Sequence, residues 1–152
     1  MSQDGVRINL ETSLGYLLKE ASSVLRASME KTLRPFGMTV THYSCLELLA
    51  QRPGLSNSEL ARGAFVTRQS MNVLLQSLER AGDVTRSVEA PVGKVLPTQL
   101  TPRGRQSLEK ASVAIRSVEV SMLAGMTETE QSAAFQILRS MIHSLRAGND
   151  EV

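Results

Sequence analysis

The sequence predicts a mainly α-helical chain with one small β-hairpin. Three observations carry that reading. Apolar residues recur at three- and four-residue steps through most of the chain. Ser56-x-x-Glu59 and Thr127-x-x-Glu130 are capping boxes that mark helix starts. Between Val84 and Leu100 the helical period gives way to alternation, interrupted by Pro91 and Gly93.

The elements follow in order. Residues 10–34 carry Leu14, Leu17, Leu18, Ala21, Val24, Leu25 and Met29 at helical spacing, and Pro35 and Gly37 end the helix. A second helix spans about 40–51, with Leu46, Leu49 and Ala50 on one side, and Arg52-Pro53-Gly54 stops it. The Ser56 box opens a short helix with Leu60, Ala61 and Ala64. A fourth helix has Thr67 as N-cap, a stripe of Met71, Leu74, Leu75 and Leu78, and Gly82 as a left-handed closing residue. Val84 to Val88 alternates as a strand, and 89–93 reads as a turn. Residues 94–100 are extended again, with Pro97 restricting them to an edge. Thr101-Pro102 restarts a helix with an N-cap and a first-turn proline. Leu108, Ala111, Ile115, Val118 and Met122 give that helix its stripe. The last helix carries Ala134, Ile137, Leu138, Met141, Ile142 and Leu145.

This order is a helix-turn-helix followed by a two-stranded wing, between long terminal helices. A 152-residue chain suits one domain, residues 1–152, but can hardly bury every apolar face of 10–34 and 102–147. The terminal helices are therefore expected to pair two copies in a homodimer, leaving about 40–101 as the winged helix-turn-helix.

Composition narrows the function. Hydrophobic residues make up 41% and charged residues 21%, values ordinary for a soluble globular chain. The start lacks a signal-peptide pattern, and no apolar run approaches the ~20 residues needed to span a bilayer. A cytoplasmic protein with no membrane association is expected. Aromatics are only 3%, against a surface that stacks unpaired bases. The single cysteine, Cys45, excludes an internal disulfide and reads as a small buried hydrophobe. His42 and His143 have no metal-ligand spacing, and no cofactor is expected. No catalytic motif is present, so the chain reads as a binding protein. Little length remains for an enzyme with a separate cofactor domain.

Charge is unevenly placed. From Arg62 to Arg105, seven basic residues face three acidic ones, a net of +4; the rest has ten basic and twelve acidic, a net of −2. A basic middle points to a phosphate backbone. Within it, the fourth helix turns Arg68, Gln69, Ser70 and Asn72 away from its apolar stripe. Thr67 and Ser70 can donate to phosphates at the helix N-terminus, while Arg68, Gln69 and Asn72 can reach base edges. The competing reading is a solvated face on a protein-interaction scaffold that touches no DNA. Arg86 on the first wing strand has three readings: a surface arginine paired with an acid, a phosphate contact, or an anchor for an acidic ligand.

At this point the sequence resembles the MarR family of bacterial winged-helix repressors. The residues that carry the resemblance are Leu60-Ala61, Val66-Thr67-Arg68-Gln69-Ser70-Met71-Asn72, Leu78-Glu79-Arg80-Ala81-Gly82 and Leu100-Thr101-Pro102-Arg103-Gly104. Element order matches over nearly the whole chain. The resemblance implies a homodimer held by the terminal helices and a pseudo-palindromic operator in duplex DNA. It implies a recognition helix in the major groove, a wing at the minor groove, and in many members release by a small aromatic or phenolic acid or a drug. It also implies a ligand pocket near the second helix's start, which makes Tyr16, His42 and Tyr43 candidates beside Arg86; the other reading of each is a packing residue. Some family members sense peroxides through a cysteine near the start of the first helix, and this chain has none there. The wing departs from the family, where an Asp and an Arg stand near the tip. Here Pro91-Val92-Gly93-Lys94 leaves only Lys94 to supply charge, and lysine suits a narrow groove less well than arginine.

Overall fold

The computed structural model describes residues 7–86 and 97–150. It contains α1 (Leu14–Leu33), a 3-10 turn (Arg34–Phe36), α2 (Val40–Gln51), α3 (Asn57–Gly63), α4 (Arg68–Ala81), β1 (Val84–Arg86), β2 (Thr98–Leu100), α5 (Pro102–Leu123) and α6 (Glu128–Asp150). The chain divides into two compact units, Met1–Ile115 and Arg116–Val152. The wing tip, with Pro91, Val92, Gly93 and Lys94, lies outside the described residues.

Local hydrogen bonds explain where the helices of the first unit begin. Ser13 Oγ accepts from the Tyr16 amide at 3.2 Å, and Asn9 Oδ1 accepts from the Glu11 amide at 3.0 Å. These bonds hold 9–12 as a turn, so α1 starts at Leu14 and not at the residue 10 expected from apolar spacing. Thr39, Ser56 and Thr67 cap α2, α3 and α4 in the same way, and Ser56 and Glu59 form the complete reciprocal box.

Three segments of the first unit close by one repeated motif. After α1 the Gly37 amide donates to Arg34 O and the Met38 amide to Leu33 O. After α4 the Gly82 amide donates to Glu79 O and the Asp83 amide to Leu78 O. After α3 the Phe65 amide donates to Arg62 O at 3.3 Å and the Val66 amide to Ala61 O at 3.0 Å. Each closure needs its first donor in the left-handed region, with φ of +67° at Gly37, +84° at Gly82 and +60° at Phe65. Glycine adopts that conformation without penalty, whereas a residue with a Cβ is strained by roughly 1–2 kcal/mol.

The core of the first unit draws on every surrounding element. Leu33 of α1, Cys45, Leu46 and Leu49 of α2, and Leu60 and Ala61 of α3 are buried. Met71, Leu75 and Leu78 of α4, Val84 of β1 and Leu108, Ala111 and Ile115 of α5 join them, with Met38 and Tyr43. Leu74, expected in the α4 stripe, is only partly buried at its edge. Cys45 is fully buried, and burial pushes its thiol up to about 12, so no reactive thiolate forms near neutral pH.

β1 and β2 pair antiparallel, with Val84 opposite Leu100, Thr85 opposite Gln99 and Arg86 opposite Thr98. Pro102 stands at the first position of α5, and Thr101 Oγ1 accepts from the Gly104 amide at 3.0 Å, the N-cap and proline start that the sequence predicts.

Most of α1 is not covered by this core. Leu14, Leu17 and Val24 are each more than half exposed. In the second unit, Thr127 and Glu130 form the reciprocal box that opens α6. No residue of α6 is buried, and Phe135, Ile137, Leu138, Ile142 and Leu145 are exposed on it. The terminal helices thus carry the uncovered apolar residues expected of surfaces that meet another copy.

Candidate nucleic-acid interface

The core fixes the orientation of α4. Met71, Leu75 and Leu78 are buried at helical spacing, so the remaining faces turn outward. Thr67, Arg68, Gln69 and Ser70 are exposed, and Asn72 is partly buried beside them. Thr67 Oγ1 accepts from the Ser70 amide at 3.1 Å and donates to Ser70 Oγ at 3.0 Å. The two hydroxyls therefore brace each other across the first turn. Ser70 Oγ, which receives the Thr67 proton, has its own O–H to give outward. The first-turn amides and the positive end of the helix dipole add to the attraction for an anion.

Sequence reading missed one residue of this face. Val73 is 62% exposed and follows Gln69 by four residues, so both lie on one side of α4. It had been hidden by its place in an apolar run, Val73-Leu74-Leu75, where the period alone does not tell rim from stripe. An exposed valine in a polar face suits the methyl group of thymine.

Exposed arginines lie on α4 and on the elements before and after it. Arg62 at the end of α3, Arg68 and Arg80 on α4, and Arg103 and Arg105 at the start of α5 all reach solvent. Of these, Arg103 has an acidic neighbour, with Nε 3.7 Å from Asp83 Oδ1. The basic excess in the sequence is therefore a surface property of this unit.

Arg86 sits differently. It lies on β1 with its side chain 24% exposed, and its Nε is 4.0 Å from Glu79 Oε2, an ion-pair distance and not a hydrogen bond. Nε and Nη2 are both buried and find no hydrogen-bond partner among the described residues. An acid neighbour was one of the three sequence readings, but it leaves most of the guanidinium unsatisfied.

The α2 candidates separate. Tyr43 is buried, and its hydroxyl donates to Glu47 Oε1 at 2.8 Å and lies 3.3 Å from Ser112 Oγ. Ser112 also donates to Glu47, and Gln51 Nε2 donates to Glu47 Oε2 at 2.8 Å. Burial pushes the Glu47 carboxyl up, but the hydrogen bonds from Ser112, Gln51 and Tyr43 outweigh it and hold the group below the usual carboxylate range. This network ties α2 to α5, so Tyr43 has a structural task. It also lines a cavity of about 230 Å³ with Glu47, Leu48, Gln51 and Gly63; Tyr16, His42 and Arg86 do not line it.

His42 is partly buried, and its Nε2 is buried without a hydrogen-bond partner among the described residues. Burial lowers its pKa, and the charge of Asp83 opposes that only in part. Tyr16 is 47% exposed on α1. Among the described residues, no cluster of His, Cys, Asp and Glu is placed to hold a metal ion.

Comparison with known proteins gives a consistent result. The family model described as MarR family matches residues 36–94. The HTH-type transcriptional repressor Rv2887 of Mycobacterium tuberculosis is 40% identical over 131 residues, covering 86% of this chain and 94% of that protein. A crystal structure of Rv2887 in complex with salicylic acid superposes with a TM-score of 0.71 at 40% identity, over 86% of this chain and 96% of that one. A crystal structure of Rv2887 in complex with DNA gives 0.70 at 38% identity, over 86% and 98%. A MarR family regulator from Silicibacter pomeroyi gives 0.80 at 25% identity, over 90% and 92%.

Proposed function

Because the chain belongs to the MarR family of transcriptional regulators, we propose that it is a dimeric repressor that binds a pseudo-palindromic operator and leaves it on binding a small aromatic acid. The observation that carries the reading is the face of α4. Its apolar stripe is locked into the core, while Arg68, Gln69 and Val73 face solvent beside the braced Thr67 and Ser70 hydroxyls.

In this reading α4 is the recognition helix. Thr67 and Ser70 hold its N-terminus against a phosphate, and Arg68, Gln69 and Asn72 read base edges. Two copies related by a twofold axis place their α4 helices in successive major grooves, roughly 34 Å apart. The exposed apolar residues of α1 and α6 supply the surface that joins the copies. Lys94 supplies the wing's charge at the minor groove. The protein works by binding alone, with no catalytic step, and it does so in the cytoplasm where the operator is. No described helix is long and apolar enough to cross a membrane.

Release requires a ligand that prefers the dimer in its DNA-incompetent arrangement, since only differential affinity moves an equilibrium. Rv2887 has been crystallised with salicylic acid and with p-aminosalicylic acid. A carboxylate of that kind would satisfy the buried Nε and Nη2 of Arg86, which favours the ligand role for Arg86 over a phosphate contact. His42, Tyr16 and Tyr43 are the further ligand candidates. The test is a footprint on the region upstream of the protein's own gene, with and without a panel of aromatic acids. A protected pseudo-palindrome that one acid abolishes is the expected result. No protection at any site would contradict the reading.

A further inference from the structure

The three helix closures of the first unit pose a question that the family assignment leaves unanswered. All three use one bonding pattern and one left-handed residue. Two of those residues are glycine, as the conformation demands. The third is Phe65, and it stands in the turn of the helix-turn-helix, a place where glycine is common. The phenyl ring gains nothing inside the subunit in return, because Phe65 is 89% exposed. Only three phenylalanines and two tyrosines exist in the chain, so an aromatic spent here is conspicuous. A strained backbone that holds an apolar side chain in water is an outlier from which a binding role can be inferred.

Its surroundings name the partner. Phe65 lies three residues after Arg62 and three before Arg68, both exposed, and two before Thr67, the cap of α4. Three residues span at most about 11 Å of backbone, so the Cα atoms of Arg62 and Arg68 each lie within that reach of Phe65. A surface built of two arginines, a helix N-terminus and an apolar ring between them is complementary to the edge of a DNA groove. There phosphates flank deoxyribose carbons and thymine methyls. We infer that Phe65 is a DNA-contacting residue, an apolar wedge that packs on the sugar edge of the duplex between the phosphates held by Arg62 and Arg68. The inference rests on the proposed DNA-binding function. The contact needs no unpaired base, in keeping with the scarcity of aromatics elsewhere.

The test compares wild type with Phe65→Gly and Phe65→Ala, titrated against the duplex from upstream of the protein's own gene at two salt concentrations. Thermal midpoints and oligomeric state are measured alongside. Phe65→Gly removes both ring and strain, whereas Phe65→Ala removes the ring and keeps the strain. Both variants are expected to bind roughly tenfold more weakly, as fits loss of part of an aromatic contact. The midpoint of Phe65→Gly should equal or exceed that of wild type. The salt dependence should keep its slope, because a phenyl ring neutralises no phosphate. Wild-type affinity in both variants would overturn the inference alone. So would a loss of affinity that tracks a change in oligomeric state or a lower midpoint in Phe65→Gly. Absence of duplex binding by the wild type would overturn the functional reading and this inference with it.

Discussion

The backbone at Gly104 lies so close to the carbonyl of Asp83 that a Cβ added to Gly104 would stand 2.0 Å from the Asp83 oxygen. That same oxygen accepts from the Thr101 amide at 3.0 Å. Thr101 Oγ1 donates to Gly82 O at 2.6 Å and accepts from the Gly104 amide. The end of α4, the start of β1 and the first turn of α5 are therefore fastened at one point. The orientation of α4 depends on that fastening, because its closing residue Gly82 is itself one of the bonded groups.

Gly104→Ala is accordingly expected to lower the free energy of unfolding by about 3 kcal/mol, since a methyl group there must displace backbone and not a flexible side chain. Urea denaturation measures it, as a lower midpoint with an unchanged slope. An unchanged midpoint would show that the junction gives way easily and that the close approach is not structural.

Gln69→Ala and Asn72→Ala should each weaken operator binding by roughly ten- to hundredfold, the range of a lost bidentate base contact. Neither residue belongs to the buried stripe, so thermal midpoints should stay at the wild-type value. Titration and thermal melting on the same preparations separate the two effects. Full operator affinity in both variants would remove this face from the interface.

Arg68→Ala should cost more affinity than Lys94→Ala. Arg68 is an exposed guanidinium at the N-terminus of α4, able to make a forked contact, whereas Lys94 brings a single hydrated charge. Each variant should also flatten the salt dependence by about one unit if its charge meets a phosphate. A larger loss from Lys94→Ala would make the wing the main anchor.

His42 gives the protein a pH-dependent stability. Its folded pKa is lowered, chiefly by burial, from the ordinary value of 6.5. Between that lowered value and about 6.5 the unfolded chain binds more protons than the folded one, so stability falls as the pH drops through this window. Glu47 is also lowered, but from 4.5, and so weakens the fold only in more acidic solution. Thermal midpoints between about pH 7.5 and pH 5.5 should decline in wild type and stay flatter in His42→Gln. Equal declines would assign the effect to other groups.

The features legible in the sequence were those encoded within a few residues. Ser56, Thr67, Thr101 and Thr127 each cap a helix through an amide three residues on, so a short string contains both partners. Gly82 was legible because glycine marks a left-handed closure. Phe65 performs the same task without that mark, and only the pair of bonds back to Arg62 and Ala61 reveals it. A weak clue existed: Val66 follows Ala61 by five residues, the spacing at which such a closure brings an apolar residue back onto its helix. Helical spacing assigned Met71, Leu75 and Leu78 correctly but not the boundary of the stripe, where Leu74 and Val73 depend on the neighbouring elements. Tyr43 could not be read as a network residue because Ser112 lies 69 positions away. That the buried Arg86 nitrogens find no partner among the described residues is likewise a property of packing, which no spacing in the sequence expresses.

In the proposed function, α4 and the arginines beside it in sequence bind duplex DNA in a sequence-dependent manner. That binding is tested most directly by titrating the intact protein against the duplex upstream of its own gene and against an unrelated duplex of equal length, each at two salt concentrations. Affinity should fall steeply with salt for both, because phosphates contribute throughout, and the upstream duplex should be preferred at either concentration. Weak, salt-independent binding with no difference between the two duplexes would contradict the proposed function.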